Sequence, residues 1–442
     1  MLQNQNPIQL REEIQKLMVA NGFDRTCYSN ILDYTIDLFN SKGLGEDYFG
    51  YHNIIHELEV TYVTLLAAQS EKSNGQIKSE DFPYLFVASL FHDYDPQKKV
   101  DKPHEEDAVR FVVTDDKVNE LLKDANIDKN LIAALILRTT YPWSDIIKQE
   151  MEKKIESYMM TSSITKDDSG KREHFRTLGW FLSVSDRIGG YALGDFPKAM
   201  EMAQKNSHAL GWHPYYTVRR SVAFFEDLLN NDNEMCQRVL RALPKEMRKT
   251  FMDNVLAFMK LREQEIQIEA SLVYDNAKFH PTIEPMSRRM DPQFVKTLME
   301  IHGQLPKPLQ FGKDEFAESI TNKDTILNTL RLGNETGPVI GFTKGGPLER
   351  YKLRQEISDV NYGLNNTVFM EPLAIRIGYW GQKGGREMRL LFNMQAQSKG
   401  YKYLTSFAMR EVIENRIKRR DAIEFVKQFD PERWDYYRLK LQ

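Results

Sequence analysis

Two of the chain's nine histidines, His52 and His56, stand four residues apart in the stretch DYFGYHNIIHELEV. On a helix that spacing sets both rings on one face a turn apart, within reach of a single small volume. Surface helices carry the same spacing by chance, so the pair alone leaves a solvated reading open. The HExxH pattern of zinc proteases is excluded, because Asn53 follows His52 where the general-base glutamate would stand. A second group lies in VASLFHDYDPQ, where an apolar helix predicted from Pro83 to Phe91 runs into His92 and Asp93. A ring nitrogen beside a carboxylate suits a divalent cation, and the two oxygens of Asp93 can bridge two ions. The third group is FLSVSDRIGG: Asp186 follows mostly apolar residues on a helix predicted to be buried, and a buried carboxylate requires a cationic partner. Arg187, the next residue, is one candidate for that role.

The elements that must position these residues are helical. Up to about residue 275 apolar residues recur at helical spacing, as in Ile31, Tyr34, Thr35 and Leu38, and about ten helices fit. The stretch REHFRTLGWFLSVSDRIGGYALGDF is apolar on several sides and predicts a buried central helix interrupted near Gly189 and Gly190. Between about 274 and 312 prolines and mixed charge suit a connection. Beyond it, strand-like runs such as GPVIGFTKGG, NNTVFMEPLAIRIGYW and WDYYRLKL alternate with the helix-like REMRLLFNMQAQSKG. The expected organisation is multidomain: an all-α domain over 1–275, a linker over 276–309 and an α/β domain over 310–442.

Composition narrows the partner. Sixty basic against 63 acidic residues give a formal net charge of −3, which supplies neither a nucleic-acid field nor a polybasic membrane surface. A small molecule or a protein is the expected partner. Two cysteines, Cys27 and Cys236, make no disulfide framework and are expected as reduced packing residues in a cytoplasmic protein. The N-terminal stretch lacks the apolar core of a signal peptide, and the apolar run LIAALIL at 131–137 is far short of the roughly 20 residues a spanning helix needs.

The ordered set His56, His92-Asp93 and Asp186 on a helical scaffold resembles the HD superfamily of metal-dependent phosphohydrolases. YHNIIHELEV followed by HDYDP is most similar to its cyclic-nucleotide phosphodiesterase branch, whose patterns read HNxxH and HDxD. The resemblance implies that His56, His92, Asp93 and Asp186 ligate a first divalent metal (zinc, manganese, iron or magnesium), with Asp93 bridging to a second ion held otherwise by water. It makes His52 the acid that protonates the leaving oxygen, and Glu106 a residue that orients His52, with Glu105 the alternative. Pro96 stands where that branch has a further histidine, and its nucleotide-selecting glutamine has no counterpart near 255–270, which puts cyclic-nucleotide specificity in doubt. Lys98, Lys99, Arg138 and Arg187 are basic residues able to meet phosphate. His104, His174, His208 and His213 carry no motif, His104 being the exception to watch because it follows HD closely.

The segment from Thr367 to Ala408 is similar to the core of the GNAT acyltransferase fold: a strand, a glycine-containing turn, a helix, then KGYKYL into the next strand. That resemblance implies a turn, with Gly381, Gly384 and Gly385, whose N–H groups hold the pyrophosphate of acetyl-CoA. Trp380 and Lys383 replace residues of the family's turn, Lys383 where glycine is expected. Glu371 lies near the place where some members carry a base. The leading expectation is therefore a metal-dependent phosphohydrolase or phosphodiesterase acting on a nucleotide or other small phosphate ester, with Asp93 and His52 at its catalytic centre. The alternatives are a ligand-binding sensor with a metal-stabilised scaffold, and an acyltransferase.

Overall fold

The computed structural model describes residues 6–41, 52–95, 104–210, 212–274, 277–306, 309–310, 312–430 and 433–441. Up to Tyr274 the chain forms α1 (Pro7–Asn21), α2 (Thr26–Ser41), α3 (Ile54–Ser73), α4 (Phe82–Phe91), α5 (Glu105–Thr114), α6 (Asp116–Ala125), α7 (Lys129–Leu137), α8 (Asp145–Thr161), α9 (Ser169–Leu193), α10 (Phe196–Ala209), α11 (Thr217–Asn230), α12 (Asn233–Ala242) and α13 (Lys245–Tyr274). These outnumber the ten that periodicity suggests, because short helices abut. Asp115 alone separates α5 from α6 and caps the latter by accepting from Val118 N. Among the described residues no helix is long and apolar enough to cross a membrane.

Two compact units result, one of residues 1–206 with 221–257 and one of 207–220 with 258–442. In the first, α3 packs against α1, α4 and α9. Its Leu58, Val60, Val63 and Leu65 are fully buried, each contributing about 1.5–3 kcal/mol by leaving water. The helix α9 runs without a break through Gly189 and Gly190, contrary to the expected interruption. A Cβ on Gly189 would lie 3.5 Å from Val60 Cγ2 and 3.6 Å from Val60 Cα. Gly189 therefore lies where α9 packs on α3, a Cβ there making ordinary contact with Val60, and marks no kink.

The second unit is built on a mixed sheet. Its elements are β1 (Phe279–Ile283), α14 (Met286–Arg289), α15 (Pro292–His302), α16 (Lys313–Thr321), β2 (Ile326–Leu332), β3 (Val339–Pro347), β4 (Thr367–Met370), β5 (Ala374–Ile375), α17 (Gly384–Ser398), β6 (Tyr403–Met409), α18 (Arg410–Lys418), β7 (Ile423–Lys427) and β8 (Trp434–Lys440). The strand order is β1-β2-β3-β4-β6-β8-β7, with β5 also on β3. Among the described residues only β4 and β6 pair in parallel, joined through α17. Both faces are covered, as near-continuous burial along β2 requires: Ile326 packs with Phe392 of α17, and its neighbour Leu327 with Phe294 and Phe316 on the other side. Residues 276–309, read as a linker, instead supply β1, which pairs with β2 from Phe279↔Leu332 to Ile283↔Asn328, and the core helix α15. The prolines that suggested a connection are tolerated where they fall, Pro281 on an edge strand and Pro292 at a helix start.

Candidate metal centre

Asn53 explains how the first histidines are placed. Its side-chain oxygen accepts from Ile55 N at 3.0 Å and His56 N at 3.1 Å, so α3 begins at Ile54. His56 sits in the first turn and His52 precedes the cap, which corrects the expectation that both ride one helix face. Their rings still meet, with centroids 5.6 Å apart. The helix α4 is buried on every side, and its apolar packing holds the two residues that follow it, His92 and Asp93, out of water as well. On α9, Asp186 lies one turn before Gly189, as His56 lies one turn before Val60. The contact of Gly189 with Val60 thus brings Asp186 against His56.

Five donor atoms converge. His56 Nε2 is 3.4 Å from Asp93 Oδ2 and 3.2 Å from Asp186 Oδ1, and His92 Nε2 is 3.5 Å from each of the same oxygens. His52 Nε2 is 3.6 Å from Asp93 Oδ2. These contacts are mostly too long for N–H···O hydrogen bonds, which run about 2.7–3.2 Å. Donors that share one ion at about 2.0–2.2 Å stand roughly 3.0–3.5 Å from one another, and the spacing here fits that. His92 shows which atom is offered. Its Nδ1 is hydrogen-bonded at 2.9 Å to the Ser89 carbonyl oxygen, which can only accept, so the proton belongs on Nδ1 and Nε2 presents a lone pair into the cluster; Glu57 Oε2 stands 2.9 Å from the same Nδ1. That Nε2 is buried and makes no hydrogen bond of normal length. Glu57, fully buried, went unnoticed in the sequence.

The electrostatics favour a cation. Burial opposes charge on His56, but the Asp186 and Asp93 carboxylates beside it outweigh that and push the imidazole up to about 9. His92 is raised well above the usual imidazole value against the same burial, by Glu57, Asp93 and Asp186. Asp186 is held far below the usual carboxylate range, again against burial, by His92 and His56. Protons bound by these histidines mark where a divalent ion would be more effective. Accessibility separates the histidines: the side chain of His52 is 18% exposed and that of His56 only 2%.

The remaining candidates divide. The second oxygen of Asp93 is hydrogen-bonded to His104 Nε2, and buried Glu105 adjoins the same ring, so Asp93, His104 and Glu105 form a second group of ligand type. Glu106 is ion-paired with Lys154 at 2.8 Å instead of reaching His52. Arg187 turns away from Asp186 to Asp232 at 2.5 Å and Asp227 at 3.3 Å. His174 bonds to Asp81 at 2.9 Å. Pro96, Lys98, Lys99 and the side chain of His208 lie outside the described residues. Cys236 is buried and Cys27 half-buried, both free thiols.

In the second unit the glycine turn leads into α17 as expected, but its surroundings are specific. Gly381, with φ +76°, is covered: a Cβ there would meet His213 Cε1 at 2.6 Å and Tyr215 Cβ at 2.9 Å. Lys383 takes a left-handed φ of +67°, the conformation a glycine adopts freely, at a cost of order 1 kcal/mol. Gly384 is covered as well, since a Cβ there would run into Leu330 Cδ2, so the turn offers a pyrophosphate only Gly385, at the start of α17. Glu371, just after β4, bonds through Oε1 to Lys344 Nζ at 2.5 Å and to the Tyr351 hydroxyl at 2.9 Å. Both side chains line a cavity of about 470 Å³.

No family model and no curated protein matches the chain. Among solved structures the C-terminal part is similar to a Desulfovibrio desulfuricans protein assigned to the GNAT acetyltransferase family (15% identity, TM-score 0.25, 38% of this chain and 99% of that one). It is also similar to a Salmonella typhimurium protein solved with its cofactor acetyl-CoA (11%, 0.27, 37% and 95%) and to an N-acetyltransferase from Staphylococcus aureus (14%, 0.26, 37% and 99%).

Proposed function

We propose that the helical unit hydrolyses a phosphate ester, a nucleotide or another small ester, as a metal-dependent HD-type phosphohydrolase in the cytoplasm. The observation that carries this reading is the convergence of His56, His92 and His52 on Asp93 Oδ2 and Asp186 Oδ1 at 3.2–3.6 Å. His56, His92, Asp93 and Asp186 would hold the metal. Two imidazoles in the set suit zinc, manganese or iron better than magnesium, which prefers oxygen. A divalent ion bound there supplies charge neutralisation at the phosphoryl oxygens and acidifies water. The chain's own contribution is positional. The Ser89 carbonyl, with Glu57 beside it, fixes the His92 tautomer, and His104 holds the second oxygen of Asp93. His52, the most exposed of the three rings and placed with Nε2 3.6 Å from Asp93 Oδ2, would give its proton to the alkoxide as the P–O bond breaks and water's oxygen bonds to phosphorus. The test is hydrolysis of cyclic and linear nucleotides and a generic diester with manganese added. Activity in the wild type that vanishes in Asp93→Ala supports the reading, and metal-loaded wild type silent on every ester would overturn it in favour of a sensor.

A second reading, acyl transfer by the sheet unit, is favoured by the cavity beside Glu371 and by the parallel β4–β6 pair joined through α17. The covered Gly381 and the strained Lys383 predict weak acetyl-CoA binding, which isothermal titration calorimetry measures directly.

A further inference from the structure

The helical unit contains a cavity of about 770 Å³ that the proposed chemistry does not use. Arg138, Trp143, Gly179, Trp180 and Asp232 are among the residues that line it, with further side chains of both charge signs around them. Its volume is that of sites for nucleotide-sized ligands. Arg138 is the C-terminal cap of α7, and its side chain is only 12% exposed. Burial pulls its guanidinium down to about 10, with Asp232 opposing that and Arg187 adding to it. Of its five N–H donors, one reaches the neutral Ser183 hydroxyl at 3.3 Å, and Asp232 Oδ1 stands at 3.5 Å. Asp232 is already engaged, by Arg187 at 2.5 Å and by the Trp180 indole N–H at 2.5 Å. One face of the guanidinium lies over Trp143, with Cζ 4.1 Å from the ring centroid. Gly179 gives this side chain its room, since a Cβ there would come within 3.0 Å of Arg138 Cβ.

A guanidinium removed from water, stacked on one face and with donors to spare, is built for a planar bidentate anion. The half-buried indoles of Trp143 and Trp180 beside it suit an aromatic ring. We propose that this cavity is a binding site, separate from the metal cluster, for an aromatic anion whose phosphate or carboxylate sits on Arg138 and whose ring lies against the tryptophans.

The experiment is isothermal titration calorimetry on the full chain treated with EDTA, so that the outcome does not depend on the phosphohydrolase reading. The probes are the four nucleoside 5′-monophosphates, nicotinate and inorganic phosphate. Saturable binding of a monophosphate or of nicotinate is expected, and which of them binds tells phosphate from carboxylate recognition. Arg138→Gln should weaken it roughly tenfold or more, Arg138→Lys less, and inorganic phosphate should bind more weakly than the aromatic probe. Circular dichroism checks that the variants fold. Trp143→Ala, which leaves the arginine in place, gives an independent loss of affinity should Arg138→Gln fail to fold. Binding that is absent for every aromatic probe, equal in wild type and both variants, or seen only with metal present would overturn the proposal.

Discussion

Each unit buries a cluster of charge, and the two resolve it in opposite ways. In the sheet unit the ammonium of Lys344, 1% exposed, meets Glu371 Oε1 and the Ser319 hydroxyl at 2.5 Å each, and Tyr351 adds a 2.9 Å bond to the same carboxylate oxygen. Charge and partner are matched at hydrogen-bond distance, and what is left over is the second oxygen of Glu371, buried without a hydrogen bond. In the helical unit three imidazoles and two carboxylates face one another at 3.2–3.6 Å, beyond good hydrogen bonds but within reach of a common ion. Contact length, more than residue type, separates a finished ion pair from a site that calls for a ligand.

The largest effect that sharpens this contrast belongs to the helical cluster. His56→Ala should abolish bound manganese or zinc, measured by elemental analysis after gel filtration, and abolish ester hydrolysis with it. His52→Ala should keep the metal and lose roughly a hundredfold or more in turnover, the contribution expected of a general acid. Equal metal loss in both variants would make His52 a ligand. Next in size is the sheet cluster. Lys344→Ala leaves Glu371 buried without its cation and should cost about 3–5 kcal/mol in chemical denaturation, whereas Lys344→Met with Glu371→Leu should recover most of that. Metal bound by the Lys344 cluster, or a costless Lys344→Ala, would break the comparison.

Glu57 gives a smaller effect. Its Oε2 stands 2.9 Å from His92 Nδ1, on the far side of that ring from the cluster, so Glu57→Gln should weaken metal affinity about 10–100-fold while ligand count and fold remain. Metal titration monitored by competition with a chromophoric chelator reads this. An unchanged affinity would assign the His92 tautomer to the Ser89 carbonyl alone.

The residues that converge could be read from the chain because each broke a local pattern: a histidine and an aspartate at the end of a wholly apolar helix, and a carboxylate inside one. Glu57 and Glu105 could not, since a glutamate in the first turn of a helix is ordinary and only the tertiary packing buries it. The same limit explains the misread glycines. Gly189 looked like a helix break because its partner, Val60, lies more than a hundred residues earlier in the chain. Glycine permits both a break and a helix contact, and only the neighbour decides which. Strand β1 was hidden by Pro281, which is harmless on an edge. The α/β class of the second unit was legible from the alternation of its strands and helices, yet the covering of Gly381 by His213 and Tyr215, residues from a distant stretch, was not.

The smallest effect tests the contrast through pH, because a histidine beside each cluster feels the opposite field. His302, packed on Phe316 at 4.4 Å, is pulled down to about 4 by burial first and by the Lys344 ammonium second. Its neutral form is the one the fold accepts, so the unfolded chain, with the ordinary value near 6.5, takes up the proton first. Stability should therefore fall as pH drops from 6.5 to 5.5, by about 1 kcal/mol from this group. His302→Gln should remove that slope, and its persistence would place the acid sensitivity elsewhere. His56 runs the other way. Raised to about 9, its protonated form stabilises the metal-free fold fully below pH 6.5, and that contribution is lost as pH rises through 9. Metal must displace that proton, so metal affinity should rise between pH 6 and 9 while the metal-free fold weakens toward alkaline pH. If both units lost stability on the same side of neutrality, the two clusters would have to be of one kind.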